Sequence, residues 1–180
     1  MRYISIFLFL FFCRSVIAQD LFKVDDGKAH FVSNAPLEII EAVSSEVQGY
    51  LRLSDQSFAF KLNVSSFYGF NSELQRQHFN DHYMEIDQFP DASFSGKIIE
   101  QIDLNVEGIQ TIRAKGLLTV HGVTQERIIK CNLIVEDEKI SAKATFSLML
   151  EDHNISIPKI VYQKIAEEIF IQVEVVFLTQ

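Results

Sequence analysis

The residues of this chain with chemistry to offer are five histidines, two cysteines and a scatter of carboxylates. The sharpest pair is His78-x-x-x-His82, which on a helix would stand on one face a turn apart. Asp81 and Glu85 lie close enough in sequence to add oxygen ligands for a metal. The zinc-hydrolase spacing His-Glu-x-x-His is missing, because Phe79, Asn80 and Asp81 fill the interval. With no third ligand at a fixed spacing, the pair reads as the polar face of a helix and no metal is assigned. His121 precedes Gly122 and caps a hairpin turn, while His30 and His153 have no nucleophile beside them. Neither a Gly-x-Ser-x-Gly elbow nor a phosphate loop nor a dinucleotide fingerprint occurs, so nucleophile, base and orienting group are nowhere found together. The chain reads as a binding protein, not an enzyme, and as one without a cofactor.

The elements that must hold a binding site are strands. Phe58, Phe60, Leu62 and Val64 share one face, with Ser57, Ala59, Lys61 and Asn63 opposite. Ile112, Ala114, Gly116, Leu118 and Val120 repeat the pattern, as do Ala142 to Leu150 and Ile169 to Phe177. Further strands are expected near 21–25, 28–34, 38–53, 92–104 and 126–136. Turn signals separate them at Asp25-Asp26-Gly27, Ser54-Asp55-Gln56, Glu107-Gly108, His121-Gly122 and Glu136-Asp137-Glu138. Short strands and tight turns make an antiparallel meander, and about eight of them remove their exposed edges by closing into a barrel. One segment breaks the alternation. Between Phe67 and Phe89, Asn71 or Ser72 can cap a helix on which Leu74, His78 and Phe79 recur at helical spacing, so a helical insertion is expected over about 70–86, with a weaker helical turn in 159–167. Phe89-Pro90 ends it, since the residue before proline avoids the helical region.

Residues 1–18 form a leader. Arg2 gives a positive start, Ile4 to Phe12 an apolar stretch too short to span a bilayer, and Val16-x-Ala18 a cleavage site before Gln19. Phe11 and Phe12 stand where a lipidated Cys13 would need small residues, so no lipid anchor is assigned. A single domain, residues 19–180, is expected in the periplasm or outside the cell. Cleavage leaves Cys131 as the last cysteine, so no internal disulfide can form and burial alone must hold the fold. Strand alternation makes Cys131 a small buried apolar residue rather than a redox centre. Of the 16 basic residues Arg2 and Arg14 go with the leader, which leaves 14 against 24 acidic side chains, a net of −10. Such a charge repels phosphate backbones and argues against nucleic-acid partners. Asn63-Val-Ser65 and Asn154-Ile-Ser156 match a glycosylation acceptor, but the match is short and Asn63 falls in a strand. The 16 Phe and absence of Trp are the compositional oddity, and phenylalanine lines either a solid core or a greasy cavity.

Three stretches carry a resemblance to a known family. Gln77-His78-Phe79-Asn80 followed by Phe89-Pro90-Asp91-Ala92-Ser93-Phe94-Ser95-Gly96 resembles the central signature of the YceI-like family. Gly116 to Thr124 is similar to that family's Gly-x-Leu-Thr-Ile-His-Gly-Val-Thr hairpin, and Phe146 to Pro158 to the segment after its penultimate strand. Ser33 to Glu38 and Glu151 to Ile155 depart from the family pattern. The resemblance implies an exported, lipocalin-like antiparallel β-barrel that binds a polyisoprenoid or other long-chain lipid in its lumen.

Alternation then selects the face toward the lumen: Phe58, Phe60 and Leu62, Phe94 and Ile98, Phe146 and Leu148, Ile171 and Val173. Phe67, Phe70, Phe79 and Met84 form the candidate lid, with His78 and Tyr83 placed to meet a polar head group. The mature chain needs no transmembrane segment, and a homodimer stays open. Two other classes also remain: a structural or interaction module with a filled barrel, and an enzyme on the same frame.

Overall fold

A computed structural model describes residues 21–136 and 139–178. The leader, the cleavage site and the turn tip at 137–138 lie outside the described residues. The strands are β1 (Leu21–Asn34), β2 (Ile39–Ser44), β3 (Gln48–Arg52), β4 (Ser57–Asn63), β5 (Asp91–Ile98), β6 (Gly108–Val120), β7 (Val123–Glu136), β8 (Lys139–Met149) and β9 (Glu168–Leu178). All pairings are antiparallel, in the order β2-β1-β3-β4-β5-β6-β7-β8-β9, and β9 returns to β1. The result is a closed eight-stranded barrel with β2 as an extra strand on β1.

β1 makes closure work by serving three partners. One edge pairs along Lys23–Ser33 with β9; the other meets β3 through Leu21–Lys23 and β2 through Ala29–Asn34. The expectation of two strands with a turn at Asp25-Asp26-Gly27 is corrected here. The strand runs through, with a bulge between Val24 and Asp26, because β9 pairs on both sides and carries the chain past the turn-forming residues. Gly27 is needed there, since a Cβ would meet the carbonyl of Val47, whose N–H donates to the Gly27 carbonyl at 3.2 Å. The expected strand at 38–53 is divided at this point into β2 and β3, and that expected at 92–104 stops at Ile98.

The β6–β7 hairpin turns on two residues, His121 and Gly122, both at positive φ (50° and 70°), as a type I′ turn requires. The insertion is helical as expected. Ser72 accepts from the Gln75 N–H at 3.2 Å to start α1 (Glu73–His78), which widens into a π-helical turn over Phe79–Tyr83. A single 3-10 turn at Lys159–Val161 occupies the second helical position.

Side chains divide the barrel interior into two levels. At one end Phe22, Val24, Leu51, Phe58, Ile98, Leu133, Val135, Ile140 and Phe177 form a solid floor. At the other end Val64, Met84, Leu118, Val120, Leu148, Ile155 and Ile169 form a second cluster under the insertion and the 150–167 segment.

Candidate functional site

Between the two clusters lies a cavity of about 480 Å³, with an almost wholly apolar lining. Its origin is visible in the strand register. Ile112, Cys131, Ala144, Val173 and Ala29 are consecutive cross-strand partners around the wall. One step toward the floor the row reads Leu133, Ala142, Val175 and Gly27. A further step gives Val135, Ile140, Phe177 and Val24, which fill the space completely. Alanine, glycine and cysteine at inward positions leave the room that leucine and phenylalanine occupy below.

The expected site residues distribute as follows. Phe60, Leu62, Phe94, Phe146, Leu148, Ile171 and Val173 line the cavity, as do Phe67, Phe79 and Met84 of the lid and both His78 and Tyr83. Phe58 and Ile98, expected in the lumen, belong instead to the floor, because they point inward one level too deep and pack against its cluster. Phe58 lies 4.9 Å from the Phe94 ring and 5.8 Å from Phe60. Phe70 is absent from the lining and backs it, its ring 5.0 Å from Phe79 and 5.9 Å from Phe31. Phe31 was missed by sequence reasoning and is the hub of the lid, stacked on Phe79 at 5.4 Å and edge-on to Phe67 at 5.1 Å. The small lining residues Ala29, Ala92, Ala114, Ala142 and Ala144 were missed too, although their inward phase was readable.

Polar groups gather at the mouth. Glu38, Ser72, Gln75, His78 and Lys164 line it, and Gln75 donates to the Glu38 carboxylate at 3.0 Å. Lys61 is tied to Asp91 at 2.8 Å. Burial raises the Tyr83 phenol above its ordinary range, keeping it a neutral hydroxyl. The Cys131 thiol, inside the cavity wall, is pushed by burial from 9.0 to about 11 and is no nucleophile near neutral pH. His78 and His82 stand with ring centres 5.4 Å apart. Among the described residues no group of three or more His, Cys, Asp or Glu is disposed to hold a metal.

His121 does more than cap its turn. The buried imidazole reaches the His153 carbonyl through Nδ1 at 3.0 Å and the Glu85 carboxylate through Nε2 at 2.9 Å. Both partners are acceptors, so the contacts need a proton on each ring nitrogen or one on the carboxyl. The fully buried His153 in turn donates from Nδ1 toward the Val120 and Val123 carbonyls at 3.2 and 3.3 Å. The clasp joins the hairpin, the end of the insertion beside Met84, and the 150–155 loop, which together roof the cavity. Neither imidazole lines the cavity, and the clasp ties together the segments around it.

An eight-stranded antiparallel barrel with an apolar, roofed lumen defines a lipocalin-like protein. The YceI-like domain matches residues 18–177, and the chain belongs to that family. No curated protein matches the chain in sequence. Among solved structures it is similar to a polyisoprenoid binding domain from Saccharophagus degradans implicated in plant cell wall breakdown. That match has a TM-score of 0.76 at 12% identity, over 90% of this chain and 100% of that one. BcnA of Burkholderia cenocepacia gives 0.68 at 15% identity, over 83% and 95% of the two chains. The Campylobacter jejuni YCEI protein gives 0.58 at 16% identity, over 75% and 81%. At these identities the likeness is one of fold.

Proposed function

We propose that the protein binds a long-chain amphiphile, most simply a polyisoprenoid-type lipid, in the barrel lumen and acts as an exported carrier or sequestering protein. The observation that carries this reading is the cavity itself: about 480 Å³ of apolar space that the register leaves open above a packed floor. That volume falls in the ordinary range of ligand sites, which combine apolar walls with a few polar groups at one end. Each methylene moved from water into such a space contributes about 0.8 kcal/mol, so a chain of several isoprene units outweighs the cost of ordering it. The polar mouth at Glu38, Gln75, His78 and Lys164 suits a head group left at the water boundary. Tyr83 adds a neutral hydroxyl near the lid. No bond need be made or broken. Family membership and the polyisoprenoid binding domain from Saccharophagus degradans support the same reading. Export rests on the leader at residues 1–18 and its cleavage site before Gln19.

The test is a lipid extract of the purified protein read by mass spectrometry, with thermal unfolding measured with and without a polyprenol. A co-purifying long-chain lipid and a melting midpoint that rises with polyprenol are expected. Binding to the folded state alone must raise stability by mass action. A midpoint unmoved at saturating polyprenol would favour the structural or interaction module instead.

A further inference from the structure

The rim of the cavity carries apolar side chains that contribute nothing to the core. Ile160 is 92% exposed, Leu37 66%, Tyr162 63% and Leu74 60%. They come from three separate segments: the loop after β1, helix α1, and the stretch 158–165. These segments meet at the mouth. Leu37 donates its N–H to the Gln163 carbonyl at 2.9 Å, and Glu38, Leu74, Val161, Lys164 and Ile165 all line the opening. The outer wall also shows apolar residues, but there the pairing sets charge against them, Leu117 opposite Glu126 and Ile128 opposite Lys115. At the rim Glu38 and Glu73 stand beside Leu37 and Leu74 but are engaged by Gln75 and Arg76, and the stretch 158–165 carries no acid. Pro158-Lys159-Ile160-Val161-Tyr162-Gln163-Lys164-Ile165 holds two lysines in a chain of net charge −8. Neither lysine takes part in an ion pair among the described residues. Aliphatic tips, a tyrosine and lysines beside them are the groups that settle at a bilayer interface, the chains in the acyl boundary and the ammonium groups among phosphates.

We infer that the mouth docks on an anionic phospholipid surface through Ile160, Leu37, Leu74 and Tyr162, with Lys159 and Lys164 meeting the head groups. The inference rests on the lumen-binding reading for its purpose: a lipid cargo then passes between bilayer and cavity without crossing water. An acidic body limits this attraction to the one basic stretch and sets the orientation, mouth toward the membrane.

The experiment compares wild type, Ile160→Glu and Lys159→Glu, with the N-terminus of each fixed by intact mass. Co-sedimentation uses vesicles of phosphatidylcholine mixed with phosphatidylglycerol, and of phosphatidylcholine alone. Neither substituted side chain lines the cavity, so the polyprenol thermal shift of each variant should equal that of wild type, which also shows that both fold. Wild type should partition onto the mixed vesicles, and Ile160→Glu should lose about tenfold or more of that partitioning. Lys159→Glu should lose severalfold and only on the anionic vesicles. Uptake of polyprenol from vesicles should slow by the same factors. Wild-type partitioning in Ile160→Glu, or no partitioning of wild type, overturns the docking surface. A vesicle loss in Ile160→Glu without any polyprenol shift in wild type keeps the docking surface and removes the lumen reading instead.

Discussion

The two levels of the barrel are built from the same strands with the same alternation, yet one is solid and the other hollow. On β8, Ile140 fills the floor while Ala142 and Ala144, two and four residues on, open the cavity. On β7, Leu133 packs with hardly any exposure while Cys131 faces the lumen. On β7, β8 and β9 the same inward alternation and regular pairing run through both levels, so side-chain volume decides. A barrel of this size is just wide enough for side chains to fill, and removing a few methylenes at one level is sufficient to make a site. The floor is the packed part of the barrel, and the alanine level is the part to which the proposed binding is assigned.

The strongest test of that division is Phe58→Ala. The ring is buried in the floor against Phe94 and Phe60. Its loss leaves a closed void, so unfolding free energy should fall by about 3–5 kcal/mol in urea titrations, with or without polyprenol. A cost that shrinks when lipid is added would mean that the lumen extends to the floor. The converse change, Ala144→Phe, puts a ring into the cavity wall. Polyprenol affinity should drop at least about a hundredfold, about 2.7 kcal/mol, while thermal stability stays within about 1–2 kcal/mol of wild type. Equal affinity in a lipid titration would place the ligand elsewhere.

Much of this arrangement was legible because alternation reports the face a side chain takes. The inward phases of β4, β6, β8 and β9, the Ser72-capped insertion and the His121-Gly122 turn all follow from local sequence. Depth along the barrel axis is not a local property. Phe58 and Phe60 share one face, and only the register against Leu51 and Gly49 shows that the first is floor and the second wall. Asp25-Asp26-Gly27 spells turn and bulge alike; continuous pairing with β9 decides for the bulge. The His121 clasp escaped notice because Glu85 and His153 stand 36 and 32 residues away. The alanines at inward positions carry two signals at once, the strand phase and the missing volume.

Cys131 offers a titration of the alanine level. Burial raises its thiol from 9.0 to about 11, so the folded chain holds that proton more tightly than the unfolded chain. The corresponding stability is present in full below about pH 9 and is lost as pH rises through about 11, an amount of about 2.7 kcal/mol. Other groups titrate in the same window, so the observable is the difference between wild type and Cys131→Ala in urea midpoints taken from neutral to alkaline pH. The difference should change steadily above about pH 9. A flat difference would mean that water reaches the thiol and that the lumen wall there is wet.

The smallest effect expected is also the most discriminating. Phe60 lines the cavity and touches the floor through Phe58 at 5.8 Å and Phe177 at 6.4 Å between ring centres. One side of its ring already faces open space, so Phe60→Ala enlarges a cavity instead of creating one, and only the contacts with the floor are lost. The lipid-free protein should lose about 1–2 kcal/mol, well below the cost of the same truncation at Phe58. With saturating polyprenol the loss should shrink further, since a flexible chain can follow the receding wall and recover part of the burial. Phe60→Asp gives the opposite sign for ligand: a carboxylate in that wall must be desolvated or draw water in, so polyprenol binding disappears in protein that still folds. Paired thermal shifts of wild type and both variants, with and without polyprenol, provide the measurement. If Phe60→Ala costs as much as Phe58→Ala and lipid changes nothing, the upper level is packed as the floor is, and the distinction between the two levels fails.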